Sequence, residues 1–335
     1  MPLPLIIGLA GPSLATEERA FLEKAQPLGI ILFARNIATP EQTAALVADC
    51  RAILGPHCWV LIDQEGGRVA RLRPPHWRER PAAGRLGALP LPLAEEGVYL
   101  AARLMAHDLY ELGINVDCHP VLDIPAPGGH AVIGDRAFGT DPDTVTRLGA
   151  AACQGLLDGG VLPVIKHIPG HGRAPADSHE RLPVVEAGPE DLAADFAPFA
   201  ALNTAPIAMT AHVVYSAFDQ ENPATLSASV IRDVIRGRIG FEGVLLSDDL
   251  TMNALSGGMA SRAERAFKAG CDVVLHCNGR LDEMRDLAHV CKTADAPAIT
   301  ARIEAATRRR HPPRPFDRSA DEARLADLMA HDSVQ

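Results

Sequence analysis

Residues 161–172 read VLPVIKHIPGHG, an apolar run that ends in a lysine and a histidine and continues into a turn rich in glycine and proline. Asp177 and His179 follow a few residues later. The apolar run predicts a buried strand, and titratable groups are rarely buried without partners. We therefore expect the polar groups beyond this strand to line a functional site. The alternative is an ordinary turn, shaped by its glycines and proline, whose polar side chains lie in solvent.

Seven other short apolar runs are spaced along the chain, and most are followed by an amphipathic stretch. The predicted strands are 5–9, 29–33, 59–63, 115–122, 161–166, 207–210, 243–247 and 273–276. The predicted helices are 16–25, 39–54, 95–112, 142–158, 191–202, 228–238 and 261–269, with a closing helical region over 280–310. Eight strand–helix repeats in a chain of 335 residues predict an α/β fold, a single TIM-type (β/α)8 barrel, rather than an open doubly wound sheet.

The barrel is expected to form a catalytic domain over residues 1–312. Residues 313–335 are expected to form a C-terminal surface appendage, helical over 320–330. Three long, irregular connections follow predicted strands three, four and five, and they cover 71–92, 125–141 and 170–183. In a barrel such loops lie on the C-terminal face, where enzymes of this fold keep their chemistry.

Composition excludes several classes of function. The formal net charge of -10 argues against a nucleic-acid partner, which needs a basic surface, and no apolar run approaches the ~20 residues needed to span a membrane. The seven scattered cysteines form no C-x-x-C pair, which favours buried thiols in a reducing, cytoplasmic compartment. The apolar N-terminus has no preceding Lys or Arg, which favours a first buried strand over a signal peptide. We expect a monomer without cofactor or metal.

Polar side chains stand at the C-terminal ends of four predicted strands. They are Asp63, the pair Lys166 and His167, His212, and the run Ser247-Asp248-Asp249. Because the strands of a barrel end at one rim, these groups are expected to converge there, as an active site requires. Individual alternatives remain, since Ser247 or Asp249 could cap the following helix and Arg71 could pair with a nearby carboxylate.

Five motifs, in order, carry a family resemblance. They are IDQEGGRVAR (62–71), RAFGTDP (136–142), KHIPGHG (166–172), DSH (177–179) and GVLLSDDLTM (243–252). With these motifs the chain resembles glycoside hydrolase family 3, specifically its short single-domain bacterial β-N-acetylglucosaminidases. One departure is Ile168, where the family motif usually has Phe, and it is expected to alter packing under the loop more than chemistry.

The resemblance implies a barrel that removes a terminal, non-reducing, β-linked N-acetylglucosamine from muropeptides and anhydro-muropeptides in cytoplasmic peptidoglycan recycling. By the matching motifs, Asp248 would be the nucleophile, His179 the general acid/base and Asp177 its partner. The residues implied to hold the sugar are Asp63, Arg71, Arg136, Lys166 and His167.

The residues also support this chemistry on physical grounds. Hydrolysis with retention needs a carboxylate close to the anomeric carbon and a second group that moves a proton. Asp248, at a strand end, suits the first task. The second ordinarily falls to a carboxylic acid, but a histidine changes charge near neutral pH, and Asp177 two residues away could orient it and favour its charged form. For His171, a backbone hydrogen bond that braces the loop is favoured over direct catalysis.

Rival interpretations stay open at this point. A metal-dependent barrel hydrolase could use His167, His171, His179, His212 and Asp248 as ligands, although the first strand has no His-x-His and no cysteine-rich ligand set is present. A sugar-binding module would need neither nucleophile nor proton shuttle. Within the family, β-glucosidases and β-xylosidases commonly draw a glutamate acid/base from a second domain, whereas here a loop replaces it. Phosphorolysis is a further alternative, because histidine repels an incoming anion less than a carboxylate does.

Overall fold

The computed structural model of the protein describes residues 2–292 and 297–331. Ten strands lie in these residues: β1 (Leu3–Gly8), β2 (Pro27–Leu32), β3 (Trp59–Ile62), β4 (Val116–Asp117), β5 (Leu162–Ile168), β6 (Val184–Val185), β7 (Ile207–Thr210), β8 (Val214–Tyr215), β9 (Val244–Asp249) and β10 (Val273–His276). Eight of them close into a parallel barrel in the order β1-β10-β9-β7-β5-β4-β3-β2, and β6 pairs with β8. The predicted (β/α)8 barrel is confirmed.

Helices surround the barrel. They are α1 (Thr16–Ala25), α2 (Pro40–Leu54), α3 (Ala83–Gly87), α4 (Leu91–Glu111), α5 (Pro142–Asp158), α6 (Ala193–Ala201), a π-helix (Val230–Arg238), α7 (Met259–Ala269), α8 (Leu281–Cys291), α9 (Pro297–Arg308) and α10 (Arg318–His331). Met1, residues 293–296 of the predicted closing region and residues 332–335 of the predicted appendage lie outside the described residues.

Two predicted elements differ from the structure by four residues or more at one end. Helix α4 begins at Leu91, four residues before the predicted start, because proline is tolerated in a first helical turn, where its missing N–H has no partner to lose. Strand β4 covers two residues of the predicted 115–122. Pro120 cannot donate a ladder hydrogen bond, and pairing resumes only as an isolated bridge between Val121 and Lys166.

The period of two along each strand places the mouth of the barrel. Inward-facing side chains form one apolar cluster, which includes Leu61, Val164 and Leu246, while their neighbours pack outward against the helices. Asp63, Lys166 and Asp248 each lie two residues beyond one of these. They therefore continue the inward-facing rows at the C-terminal end of the barrel.

Helix α9 closes the opposite end. Ala306 and Ile303 pack on the interior cluster, and Trp59 Nε1 donates a hydrogen bond to Thr307 Oγ1 at 3.0 Å. Since the N-terminal end is covered in this way, a substrate reaches the interior side chains from the C-terminal end.

All seven cysteines are buried and unpaired, as predicted. Burial raises the pKa of the Cys50, Cys58, Cys153 and Cys291 thiols to about 12 each. Over residues 2–292 and 297–331, no helix has the length and apolar character needed to cross a membrane.

Candidate active site

A cavity of about 450 Å³ opens at the C-terminal ends of the barrel strands. Its walls include all eight residues that the sequence assigns to the site: Asp63, Arg71, Arg136, Lys166, His167, Asp177, His179 and Asp248. The structure therefore brings together side chains from three strand ends and from the loops after β3, β4 and β5. Their chemical roles stay predictions.

Lys166 is the charged centre of the cavity floor. Its side chain is only 2 % exposed, and its Nζ lies 2.8 Å from Asp63 Oδ1 and 2.7 Å from Glu65 Oε1. Burial alone would lower the pKa of Lys166, but the two carboxylates raise it above its ordinary value. Arg71 Nη2 reaches the other oxygen of Asp63 at 3.2 Å, so the alternative pairing predicted for Arg71 occurs within the site itself. Lys166 is thus a cation that two carboxylates hold in place at the cavity floor.

Glu65 belongs to the same cluster, although the sequence did not single it out. It accepts two hydrogen bonds from Arg136, both 2.8 Å long. Burial would raise the pKa of Glu65, but Lys166 and Arg136 hold it well below its usual range. Because Glu65 lies two residues beyond Asp63, the period of two could have identified it.

Asp123 is a second residue that the sequence analysis missed. Its Oδ1 accepts hydrogen bonds from the backbone N–H groups of His167, at 3.1 Å, and His171, at 2.6 Å. Its Oδ2 lies 2.6 Å from His167 Nδ1. Burial would raise the pKa of Asp123, but the neighbouring imidazoles and hydrogen bonds lower it. One buried carboxylate therefore fixes the orientation of the His167 ring and the start of the following loop. The signal was its position, one residue past the predicted fourth strand.

Asp248 lies on β9 and accepts a hydrogen bond from the backbone of Asp249 at 2.8 Å. Burial would raise its pKa, but His212, His167 and that hydrogen bond bring the pKa of Asp248 below the usual value. An ionised carboxylate at neutral pH is what a nucleophile requires.

The neighbours of Asp248 have structural partners. Asp249 Oδ1 accepts from the amides of Thr251, at 3.0 Å, and Cys277, at 3.1 Å. Ser247 Oγ accepts from the Leu275 amide at 3.0 Å. The alternative in which either residue caps the next helix is therefore wrong, since α7 begins only at Met259.

The loop after β5 carries the proposed proton-transfer pair. His179 Nδ1 lies 2.8 Å from Asp177 Oδ1, which also accepts the His179 backbone N–H at 2.9 Å. Burial raises the pKa of Asp177, but these hydrogen bonds and the imidazole lower it overall. With Nδ1 engaged, Nε2 of His179 is the nitrogen left for a substrate. The His179 side chain is 68 % exposed, so a bound sugar could reach it from the cavity.

Several contacts hold this loop to its surroundings. His171 Nε2 lies 3.3 Å from Ser178 Oγ, so its ring braces the loop through a hydroxyl rather than through the expected backbone group. Burial lowers the pKa of His171 to about 4, which keeps the ring neutral near pH 7. The Ala254 amide donates to Ser178 O at 3.2 Å, and Asn253 Nδ2 donates to His179 O at 3.0 Å. The proton-transfer pair is therefore joined to the segment that follows Asp248.

Gly172 explains why small residues occur in this loop. A Cβ at this position would collide with the carbonyl of Ile124, because the loops after β4 and β5 are in backbone contact. The Gly172 carbonyl accepts from the Ala126 amide at 3.3 Å.

The five side chains named as possible metal ligands have hydrogen-bond partners within the protein. Among the residues that the structure describes, no three His, Cys, Asp or Glu side chains are grouped so that they could hold a metal ion. In His212, one of these five, both ring nitrogens have a partner: one lies 2.7 Å from Thr225 Oγ1 and the other 3.0 Å from Asp249 O.

Comparison with known proteins gives a consistent result. The chain matches the family model for the glycosyl hydrolase family 3 N-terminal domain over residues 6–310. It is 40% identical to a protein named Beta-hexosaminidase from Aromatoleum aromaticum over 321 residues, which cover 93% of this chain and 89% of that protein.

Two solved structures of one bacterial protein are also similar. Native NagZ from Neisseria gonorrhoeae matches with a TM-score of 0.85 and 34% identity, over 98% of this chain and 96% of that one. The same protein in complex with N-trifluoroacetyl-D-glucosamine matches with a TM-score of 0.81 and 34% identity, over 98% of each chain.

Proposed function

Because the chain belongs to glycosyl hydrolase family 3, we propose that it is a retaining exo-β-N-acetylglucosaminidase. Its substrates are muropeptides and anhydro-muropeptides that end in a non-reducing, β-linked N-acetylglucosamine. The observation that carries the proposal is the presence of Asp248 and the Asp177–His179 pair in the walls of one cavity, beside the charged cluster around Lys166. The relatives named above support the choice of sugar, since one is named for hexosaminidase activity and another is a complex with an N-acylated glucosamine.

Asp248 and His179 divide the two chemical tasks. An oxygen of Asp248 attacks the anomeric carbon while charged His179 gives its proton to the leaving oxygen, and the bond between that carbon and the aglycone breaks. A covalent glycosyl–enzyme results. Neutral His179 then takes a proton from water, which attacks the same carbon and frees Asp248. Asp177 accepts from His179 Nδ1 throughout and holds the ring in place.

The cluster on the cavity floor holds the sugar. Asp63, Arg71, Arg136, Lys166 and His167 offer hydrogen-bond donors and acceptors to its hydroxyl groups, and all five line the cavity. Ion pairs of Arg71 and Lys166 with Asp63, and of Arg136 with Glu65, hold these side chains in place, so little rearrangement is needed on binding. Hydrogen bonds to charged groups are the stronger ones, at about 1.5–3 kcal/mol each.

We also propose that the enzyme works as a monomer in the cytoplasm, in peptidoglycan recycling. The unpaired state of the seven cysteines supports a reducing compartment.

Trapping the intermediate tests the proposal. A 5-fluoro N-acetylglucosaminyl donor slows breakdown of the glycosyl–enzyme, so the labelled peptide can be mapped by mass spectrometry. We expect the label within residues 241–255, and label elsewhere would contradict the role of Asp248. Release of sugar 1-phosphate rather than free sugar in phosphate buffer would favour phosphorolysis.

A further inference from the structure

The segment after residue 312 packs along the wall of the barrel. Arg314 Nη1 lies 3.0 Å from Asp158 Oδ1, and the Arg103 guanidinium lies over the Phe316 ring at 3.9 Å. Leu328 of α10 is only 1 % exposed and belongs to the main hydrophobic cluster. Helix α10 is therefore packed on the same core as the barrel helices.

A buried ion cluster joins α10 to the loop after β3. Arg80, in that loop, is 3 % exposed, and its Nη2 lies 3.1 Å from both Asp108 Oδ2 on α4 and Glu322 Oε1 on α10. Arg318 of α10 reaches Asp108 Oδ1 at 2.9 Å, and Arg78 reaches Glu322 Oε2 at 2.8 Å. Removing one partner from such a buried cluster is costly, so the loop is firmly attached to α10.

The backbone of Arg80 in turn supports the residues next to Glu65. The Arg80 carbonyl accepts the Gly67 N–H at 2.9 Å. Gly66 and Gly67 have φ values of 89° and 54°, in the left-handed region that favours glycine, and a Cβ at Gly66 would collide with the Pro81 carbonyl. The tight turn that follows Glu65 is thus built directly on the segment that α10 holds.

Helix α3 extends this support to Arg136. A Cβ at Gly87 of α3 would collide with the Phe138 carbonyl, so α3 lies in backbone contact with the loop that carries Arg136. Leu86 of α3 and Leu328 of α10 both pack over Gly97 of α4. Helix α10 therefore lies behind both partners of the Glu65–Arg136 ion pair.

We infer that α10 positions the sugar-binding cluster, with Glu322 and Arg80 as positioning residues that act through Glu65 and Arg136. This inference rests on the proposed function, because it takes the cluster to bind the sugar. Loss of the α10 contact would loosen the turn after Glu65 and weaken substrate binding, while Asp248 and His179 stay in place.

The variant Glu322→Ala tests this inference with two measurements. The first is steady-state hydrolysis of 4-nitrophenyl N-acetyl-β-glucosaminide. We expect KM to rise about fivefold while kcat stays within about twofold. The second is hydrogen–deuterium exchange without substrate, in which the amides of residues 64–69 and 134–138 should exchange faster. Arg324→Ala is the matched control, since Arg324 lies on the same helix but its exposed pair with Glu96 joins α10 to α4 rather than to the loop after β3. It should change neither measurement.

The outcomes separate the two ideas. A wild-type protein that does not release nitrophenol contradicts the proposed function, while the exchange measurement still tests the positioning role. Unchanged exchange over 64–69 and 134–138 in a folded Glu322→Ala protein overturns the inference, as does an unchanged KM in an active one. If Glu322→Ala does not fold, Glu322→Gln is measured in the same way. This variant keeps an oxygen for Arg80 but removes the charge, so we expect a rise in KM smaller than fivefold, together with faster exchange.

Discussion

Replacement of Asp177 with alanine should separate catalysis from stability. The Asp177–His179 pair is largely open to solvent on the histidine side, and exposed ion pairs contribute at most about 1 kcal/mol to folding. General acid–base catalysis contributes about 10²- to 10⁴-fold to the rate. Since His179 takes its orientation from Asp177, we expect kcat to fall by about 10²-fold or more while the free energy of unfolding changes by less than about 1 kcal/mol.

The assay compares two leaving groups. A sugar aglycone leaves poorly without a proton, whereas 4-nitrophenolate is a good leaving group, so the loss should be larger for a disaccharide substrate than for the nitrophenyl glycoside. Glu180→Gln is the control, because Glu180 is an exposed carboxylate on the same loop. If Asp177→Ala turns over both substrates as fast as the wild type, the pair has no part in the mechanism. If Glu180→Gln loses as much turnover as Asp177→Ala, the loss comes from removing any negative charge from this loop.

Two further predictions concern buried charges. Glu65→Gln leaves Lys166 and Arg136 short of a partner, so KM should rise and the free energy of unfolding in urea should fall by about 3–5 kcal/mol; an equally stable variant would contradict this. Burial lowers the pKa of His119 to about 4, so the unfolded chain binds more protons between about pH 6.5 and 4 and stability falls as pH falls through that window. His119→Leu should remove about 3 kcal/mol of that loss. The measurement is urea unfolding at pH 7 and at pH 4, and a fall in stability between the two that is equal in the wild type and the variant would refute the prediction.

The sequence predicted the barrel and the position of the site because both depend on local patterns. Apolar runs marked eight strands. Because the strands are parallel, polar residues at their C-terminal ends all lie at the same rim of the barrel. Asp63, Lys166 and Asp248 follow the inward-facing rows of their strands, so their convergence required no knowledge of the loops.

The residues that the sequence missed depend on long-range contacts. Asp123 serves His167 and His171, which lie more than forty positions away. Its position just past the predicted fourth strand was a local signal, but these partners were not. Pairing of Arg80 with Glu322 joins residues 242 positions apart. Such pairs depend on how helices pack against one another, which hydrophobic spacing alone does not specify.

The buried cysteines can report on how the protein unfolds. Thiol reagents attack the thiolate, and in the folded chain the sulfurs are both covered and held in the protonated form. Cys118 lies inside the barrel, Cys277 lines the cavity at its mouth, and the other five lie between strands and helices. The order in which an alkylating reagent modifies Cys118 and the five outer cysteines would therefore show whether the helices separate from the barrel before its strands do.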